Sequence, residues 1–394
     1  MLAIYDVESN CIRLGLLFAL GVFPYKGKMV KIKNQQLDIL MTPNHRCVVS
    51  TNSVPRNTWF YENDRASFNR FKLASDLTQT DNIVVNARFE NLSSISIGED
   101  VAKLLGWILS DGMVSKRRGI IITQSYKANP KYCEEIENLL RKIGIHHKIM
   151  RRNSGLMYFK IPKTINCIKS RKREEIEKNK NQWYDRLFSL IPLSWNLIWH
   201  LPANEAKALL EGLLKGDGHQ NNLGEWTGFT QKNRDLMDKF QLLAMRCGYR
   251  VSIAPAPSIG SSISKKQHIG LVRKYGGVNV EIIEYDGVVW CPQVETGAFI
   301  TRRNGKVFIT GNSYIDHMAL LCSLLKRVLK PTGGLWINMG DTHFGGGRGQ
   351  KFKNSPKQAS NRGSFSYSEI RFCYLYGCFA CSAMVLPFGC WLAF

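Results

Sequence analysis

The 394-residue sequence has few acidic residues for its length, and it lacks the cysteine patterns of metal-binding and secreted domains. Lys and Arg number 54 against 31 Asp and Glu, which gives a formal net charge of +23. The 11 cysteines contain no two CxxC pairs at the spacing of a zinc site, and no clear small-residue cleavage site follows the apolar residues near the N-terminus. These absences argue against a disulfide-stapled secreted domain and predict reduced thiols in a cytoplasmic protein.

The excess of positive charge predicts a polyanionic partner, most often nucleic acid. Basic residues are clustered at 115–119, 148–153 and 169–182, with aromatic and β-forming residues between the clusters. Such interleaving is typical of a groove that follows a phosphate backbone. The alternative is a basic, solvated surface without a partner.

The middle of the chain contains a duplicated motif. Residues 104–112 (LLGWILSDG) and 209–218 (LLEGLLKGDG) are apolar helical runs that end in an aspartate and a glycine. Each run is followed by a polar or basic loop, a β-like stretch with a Thr-Gln pair, and a second helix-like stretch with a glycine at its end. These landmarks recur at a nearly constant interval of about 105 residues, which indicates an internal duplication.

The motif also predicts a chemistry. Helices that are apolar all round belong in an interior, and glycines such as Gly106, Gly212 and Gly216 let two of them approach closely. Packed side by side, they bring Asp111 and Asp217 together at their ends. Two adjacent carboxylates repel each other unless a cation such as Mg²⁺ neutralises them, and such sites suit phosphodiester hydrolysis. A single Asp-Gly is more often a plain helix end, but two copies inside a repeat favour a catalytic pair.

These residues resemble the two LAGLIDADG (DOD-type) motifs of monomeric homing endonucleases. In that family the motif helices pack on each other, their last acidic residues bind the metal, and a β-sheet after each motif straddles DNA. The resemblance implies a monomeric, Mg²⁺-dependent nuclease, a hydrolase acting on double-stranded DNA, with no small-molecule substrate. The sequence departs from the name-giving motif at Trp107, Leu109 and Lys215.

The predicted endonuclease site has three groups of residues. Asp111 and Asp217 are the predicted catalytic residues and metal ligands, together with Gly112 and Gly218. Lys160 and Lys232 are candidates for an assisting basic residue. The predicted DNA contacts are Lys116, Arg117, Arg118, Gln124, Arg151, Arg152 and Gln231.

The stretches on either side of the duplicated motif have β character. Residues 1–95 contain short runs rich in branched side chains, and residues 279–313 contain three short strands with Asp-Gly and Asn-Gly hairpin turns. A Thr-Pro-Asn-His turn includes His45, which could polarise a peptide carbonyl. The asparagine of the closing Gly-Asn-Ser could cyclise and cut the chain, with the next hydroxyl as acyl acceptor. Each feature taken alone is an ordinary turn or loop.

Together these flanks resemble an intein of the Hint fold that carries the endonuclease as an insert. The resemblance implies roles in protein splicing for Thr42, His45, Cys291, Asn312 and Ser313. Asn312 would cyclise, and Ser313 would begin the downstream flank. Gly311 stands where most inteins have histidine, and the first splicing block with its nucleophile is missing. The sequence therefore predicts an N-terminally truncated intein with slow C-terminal cleavage at most and no ligated product.

Residues 314–350 resemble an internal helix–strand segment of N6-adenine/N4-cytosine DNA methyltransferases, through KRVLKPTGGLWINMGDT. The catalytic and cofactor motifs of that family are missing, so S-adenosylmethionine would serve only a complete host methyltransferase. Residues 372–394 form an apolar tail long enough to span a bilayer. An out-of-frame segment explains this tail equally well, and the sequence is not expected to enter a membrane.

The predicted fold class is α+β: a β-rich Hint domain interrupted by a pseudo-twofold duplicated endonuclease, then an α/β methyltransferase fragment. The predicted domains are residues 1–95, 96–278 (repeats about 101–165 and 206–255), 279–312 and 313–394. The predicted function is intein-type homing endonuclease with residual Asn cyclisation. The alternatives are a decayed remnant that binds DNA without cutting it and, resting only on the tail, a membrane-anchored protein.

Overall fold

The computed structural model describes most of the chain up to Gly311. The described residues are 2–51, 69–78, 81–116, 118–165, 180–254, 259–266, 268–270, 280–311 and 327. Apart from Arg327 they belong to one compact unit. The predictions for Arg117, Asn312, Ser313, the methyltransferase-like segment and the apolar tail lie outside these residues, as does most of the basic run at 169–182.

The helices begin and end where local chemistry predicts. Asn233 accepts a hydrogen bond from the backbone of Leu236 as an N-cap, and Ser194 does the same for the backbone of Leu197. Gly144 closes another helix at φ 76°. The described helices are α1 (Glu99–Asp111), α2 (Pro130–Ile143), α3 (Gln182–Ser189), α4 (Trp195–His200), α5 (Ala203–Asp217) and α6 (Arg234–Arg246).

A first structural copy is formed by α1, two strands, α2 and two further strands. In the sheet β9 and β10 are neighbours, and β12 lies between β10 and β11. All of its ladders are antiparallel. The strands are β9 (Gly112–Ser115), β10 (Gly119–Ser125), β11 (Lys148–Arg151) and β12 (Leu156–Ile161).

A second copy repeats this topology with α5 and α6. Here β13 and β14 are neighbours, and β16 lies between β14 and β15. The element order and the strand order of the two copies are the same, so the structure contains the internal duplication that the sequence predicted. The strands are β13 (Gly218–Gln220), β14 (Trp226–Thr230), β15 (Arg250–Ile253) and β16 (Gly260–Ser264).

The described residues on either side of the two copies form mainly strands, in agreement with a mixed, sheet-rich α+β fold. It joins the second copy through β15, which pairs with β20 to give a sheet of thirteen strands. The strands are β1 (Leu2–Asp6), β2 (Cys11–Gly15), β3 (Leu17–Lys33), β4 (Asp38–Met41), β5 (Arg46–Thr51), β6 (Asn69–Leu73), β7 (Asp81–Val84), β8 (Arg88–Phe89), β17 (His268–Gly270), β18 (Val280–Val294), β19 (Ala298–Arg303) and β20 (Lys306–Gly311).

A long antiparallel ribbon of β3 and β18, with β4 on the other side of β3, carries a ladder of opposite charges. In the antiparallel register Lys26 faces Asp286, and Lys28 faces Glu284. Lys31 faces Glu281, with their charged groups 3.1 Å apart. Opposite charges on facing residues stabilise paired strands modestly. Lys26 and Lys31 are therefore paired with carboxylates within the ribbon.

One large apolar core passes through both copies and into the β-rich part. It includes Trp107 and Leu104 of α1, Leu209 of α5, Phe240 of α6 and Ile300 of β19. Burial of such side chains is the main favourable term in folding. None of the described helices combines the length and the apolar character that a membrane span needs.

Candidate active site

The site is organised by close packing of α1 against α5. A Cβ atom added at Gly106 would lie 2.5 Å from the carbonyl oxygen of Leu209 and 2.8 Å from the Cα of Gly212. A Cβ at Gly212 would meet the carbonyl oxygen of Lys103 and lie 3.0 Å from the Cα of Gly106. Glycine is therefore needed at both crossing positions, because any side chain would push the helices apart.

This packing brings the two aspartates together at the carboxyl ends of the helices. A Cβ at Gly216 of α5 would lie 3.2 Å from Oδ2 of Asp111 at the end of α1. Burial, together with the nearby Asp217 carboxylate, raises the pKa of Asp111 to about 6. Burial also raises the pKa of Asp217, although the positive charge of His219 lowers it in part.

Each aspartate leads directly into a strand through a glycine. Gly112 begins β9, and Gly218 begins β13. A Cβ at Gly112 would lie 2.8 Å from the Cα of Ile108, and one at Gly218 would lie 2.9 Å from the ring of Trp226. The glycine of each Asp-Gly pair thus allows the abrupt change from helix to strand that leaves the carboxylate at the surface of the helix pair.

The glutamines of the two Thr-Gln pairs bind the aspartates. Gln124 donates from Nε2 to Oδ2 of Asp111 at 3.1 Å, and Gln231 donates from Nε2 to Oδ2 of Asp217 at 2.9 Å. Both glutamines were predicted to contact DNA. Hydrogen bonds to charged groups are stronger than neutral ones, so these amides orient the carboxylates.

The residues present fit a divalent cation. Two part-buried carboxylates that repel each other, with pKa values raised, form an oxygen donor set whose charge a hard cation would neutralise. No group of three or more His, Cys, Asp or Glu suited to a metal occurs in the described part of the chain. Further ligands would have to be carbonyl oxygens, water or substrate oxygens.

The two predicted assisting lysines lie in different surroundings. Lys160 is on β12, facing Ile121 of β10 in the register. Lys232 is exposed and directly follows Gln231. Within the described residues, no hydrogen bond or ion pair joins either lysine to Asp111 or Asp217.

The described basic residues among the predicted DNA contacts are all exposed. Lys116 and Arg118 lie in the β9–β10 turn, and Arg152 follows β11. Arg151, at the end of β11, is exposed as well, although it faces Met157 in the register and Met157 is buried against the helices. Its charge counters in part the burial that raises the pKa of the Cys133 thiol.

A network of four charges beside the helix pair was not predicted. Lys103 of α1 lies 3.0 Å from Glu135 of α2 and 2.9 Å from Glu211 of α5. Lys215, a departure from the family motif, lies 2.6 Å from each of the same two carboxylates. Lys215 thus ties α5 to α2.

The β-rich part brings its two candidate splicing stretches together. His45 Nε2 lies 2.6 Å from Oγ1 of Thr310, and the backbone N–H of His45 donates to the carbonyl of Thr42 at 3.0 Å. Thr310 is on β20, which ends at Gly311, beside the predicted cleavage point. Cys291 is buried on β18, facing Gly21.

The glycine at 311 has a structural reason. A Cβ there would lie 2.7 Å from the ring of Phe71 and 2.9 Å from the carbonyl oxygen of Arg46. The guanidinium of Arg46 itself lies over the Phe71 ring at 4.0 Å. A histidine at 311 would therefore collide with this packed pair.

Comparison with known proteins found resemblance in structure alone. No family model and no curated protein matches the chain. It is similar to a variant of the homing endonuclease I-DmoI with its target DNA and Mn, at 18% identity and a TM-score of 0.30, over 44% of this chain and 89% of that one. Similarity to I-DmoI with DNA and Ca is comparable, at 17% identity and a TM-score of 0.30, over 44% and 85%. The N-terminal LAGLIDADG domain of DUF199/WhiA is similar at 12% identity and a TM-score of 0.28, over 44% and 81%.

Proposed function

We propose that this protein is a site-specific endonuclease that cuts double-stranded DNA and acts as a monomer. The observation that carries the proposal is the carboxylate pair at the ends of two helices related by duplication. Asp111 and Asp217 are close enough to repel each other, and each is oriented by a glutamine from its own copy. Both copies lie in one chain, so a single protomer contains the paired site.

The sheets of the two copies support DNA as the substrate. The eight strands β9 to β16 contain no Asp or Glu. In β10 and β12 the residues alternate between buried positions facing the helices and less buried positions on the other side. We call that other side the outer face. A face free of acidic residues suits a polyanionic duplex.

In the proposed mechanism Asp111 and Asp217 hold Mg²⁺, with carbonyl oxygens of Gly112 and Gly218 as further candidate ligands. When bound, the metal supplies charge stabilisation to the attacking and leaving oxygens of the phosphodiester. Gln124 and Gln231 hold the carboxylates in place. Lys160 and Lys232 are the proposed assisting bases or phosphate partners.

Cleavage of the uninterrupted host gene tests this proposal. With Mg²⁺, the wild-type protein should cut a host DNA methyltransferase gene that lacks the insert, near the insertion point. Asp111→Asn and Asp217→Asn should each abolish cutting while DNA binding persists. Equal cutting by wild type and both variants would remove the carboxylate pair from the reaction. Binding without any cutting by the wild type would favour the decayed, DNA-binding remnant.

A second activity is proposed for the β-rich part, as a remnant of an intein within a DNA methyltransferase. The contact between His45 and Thr310 favours it, because it joins the predicted Thr-x-x-His turn to the strand that precedes Asn312. The Asn312 amide nitrogen would attack its own carbonyl carbon and break the peptide bond to Ser313. The products are a succinimide and a free amino group on Ser313.

Intact-mass analysis of the full chain tests this second activity. Slow release of a fragment that begins at Ser313 should occur in the wild type, and Asn312→Ala should stop it. The residues present do not provide for methylation, so S-adenosylmethionine should leave the mass unchanged. A fragment formed at the same rate from Asn312→Ala would identify ordinary proteolysis.

A further inference from the structure

We propose that Lys148 and Lys160 form a phosphate-binding pair on the first copy, which makes this copy the stronger DNA-holding half of the protein. This inference rests on the proposed DNA-binding function and adds an asymmetry to it. The ligand is the phosphate backbone of duplex DNA. A lysine ammonium suits it as a compact point charge.

The register places the two lysines side by side on the outer face. Lys148 of β11 faces Lys160 of β12, which in turn faces Ile121 of β10, and Ile121 faces Met113 of β9. Residues that face each other in an antiparallel ladder point to the same side of the sheet. The neighbours of Lys160 along β12, Phe159 and Ile161, are buried against the helices. The lysines therefore lie on the opposite side, at one end of a row that passes through Ile121 and ends at half-exposed Met113.

Like charges that face each other across strands destabilise a sheet unless an anion lies between them. Within the described part of the chain, neither Lys148 nor Lys160 forms an ion pair with a carboxylate. The ribbon shows the opposite arrangement, because Lys26 faces Asp286 and is paired with it at 3.1 Å. An unneutralised lysine pair in a sheet without acidic residues thus points to an external anion.

The second copy has no such pair at the same place. The equivalent row is His219, Gly228, Ser262 and Ser252. Ser252 is buried, and its hydroxyl donates to the carbonyl of Gln36 at 3.4 Å. The row continues to Lys306 of β20, whose ammonium donates to the carbonyl of Gln35 at 2.6 Å, so the β-rich part occupies the outer end of this row. The two copies differ in the charge of this row and in its exposure to solvent. They would therefore bind the two halves of a DNA site with different strength.

The salt dependence of DNA affinity tests the inference. Each lysine that neutralises a phosphate contributes about 0.9 to the slope of log K against log salt. Lys148→Ser/Lys160→Ser should reduce the slope by about 1.8, equally for duplexes of different sequence. Lys26→Ser/Lys28→Ser removes the same charge from the ribbon and should leave the slope unchanged. Ser262→Lys should increase the slope. Hydroxyl-radical footprinting of the first double variant should show protection lost on one half of the site.

Several outcomes would overturn the inference. One is an unchanged slope for Lys148→Ser/Lys160→Ser, with circular dichroism showing a folded protein. Equal losses in both double variants would show that only net charge matters, and a loss seen with one DNA sequence only would identify a base contact. If the wild type bound and cut DNA in any of these cases, the proposed function would stand. A wild type that binds no duplex DNA would remove both proposals.

Discussion

At the scale of single residues, ionisation of the carboxylate pair costs free energy for two reasons, the burial of both groups and the repulsion between them. Desolvation disfavours the ionised form of both aspartates, and Asp217 adds repulsion to Asp111. Without a cation, the ionised pair therefore destabilises the folded protein. Groups whose ionisation is disfavoured in this way cluster at functional sites.

The first prediction is that Asp111→Asn stabilises the metal-free protein at neutral pH. The folded-state pKa of Asp111 is raised from 3.8 to about 6, so the unfolded state releases this proton at lower pH than the folded state. The wild type therefore loses stability as pH rises from about 4 to 6, and the variant lacks this loss. Melting curves in EDTA should show a higher Tm for the variant above this window and equal values below it. Asp286→Asn on the exposed ribbon is the control, and an equal gain there would contradict the assignment.

The second prediction concerns the glutamines that orient the aspartates. Gln231→Met keeps the side-chain length but removes the hydrogen bond to Asp217. Loss of a hydrogen bond to a charged group costs about 1.5–3 kcal/mol, so strand cleavage should slow roughly 10- to 100-fold. The acid limb of the pH–rate profile should also move to higher pH, because the amide favours the ionised carboxylate. Gln220→Met, exposed on β13, should change neither quantity. A normal rate and profile in Gln231→Met would leave the amide without a positioning role.

At the scale of elements, the close approach of the two motif helices depends on glycine. The backbones of α1 and α5 are in contact at Gly106 and Gly212. Glycine inside a helix costs roughly 1 kcal/mol relative to alanine, so close approach must compensate for it. The separation of Asp111 and Asp217 is set by this contact.

The third prediction is that Gly106→Ala destabilises the protein although alanine favours helix. The added methyl group would lie 2.5 Å from the backbone carbonyl of Leu209, which has no flexible end to move away. Overpacking of this kind costs about 1–3 kcal/mol and exceeds the gain in helix propensity. Urea unfolding measures the difference. Gly260→Ala, where no atom lies within 4 Å of the added Cβ, should be close to neutral. A more stable Gly106→Ala would mean that the helices are further apart.

At the scale of the whole molecule, the second copy and the β-rich part are joined by buried polar contacts. The Gln241 amide donates to the carbonyls of Val251 at 2.9 Å and Gly305 at 3.0 Å. Arg302 donates to Asp238 at 2.7 Å and to Gln241 at 3.2 Å. These bonds and the β15–β20 pairing connect the proposed endonuclease to strand β20, which ends at Gly311.

The fourth prediction is that Arg302→Met loosens this connection. The buried Gln241 oxygen loses a donor, and Asp238 loses its closer cationic partner and keeps only the longer ion pair with Arg234 at 3.8 Å, which should cost about 2–3 kcal/mol. Hydrogen exchange should accelerate in β20 and in α6, while α1 and α2 of the first copy stay protected. Lys26→Met, which breaks an exposed pair, should cost less than about 1 kcal/mol. Uniformly faster exchange in Arg302→Met would indicate global destabilisation instead.

The sequence alone determined the duplicated motif, the two aspartates and the β character of the flanks. These features are readable because helix and strand periods and Asp-Gly ends are local patterns. The Thr-Gln pairs were found in the sequence, but their partners were not. Nothing in the chain order says that Gln124 bonds to Asp111. A glutamine that recurs 13 residues after the first aspartate and 14 residues after the second was nevertheless a usable signal.

Tertiary structure alone decided which side chains face each other. Lys160 became the partner of Lys148, Arg151 came to face the buried Met157, and Gly311 came against Phe71. A shift of one residue in a strand register would reverse the first two results, because alternate residues point to opposite faces. Register depends on the packing of the whole sheet against α1, α2, α5 and α6, and no single segment contains that information.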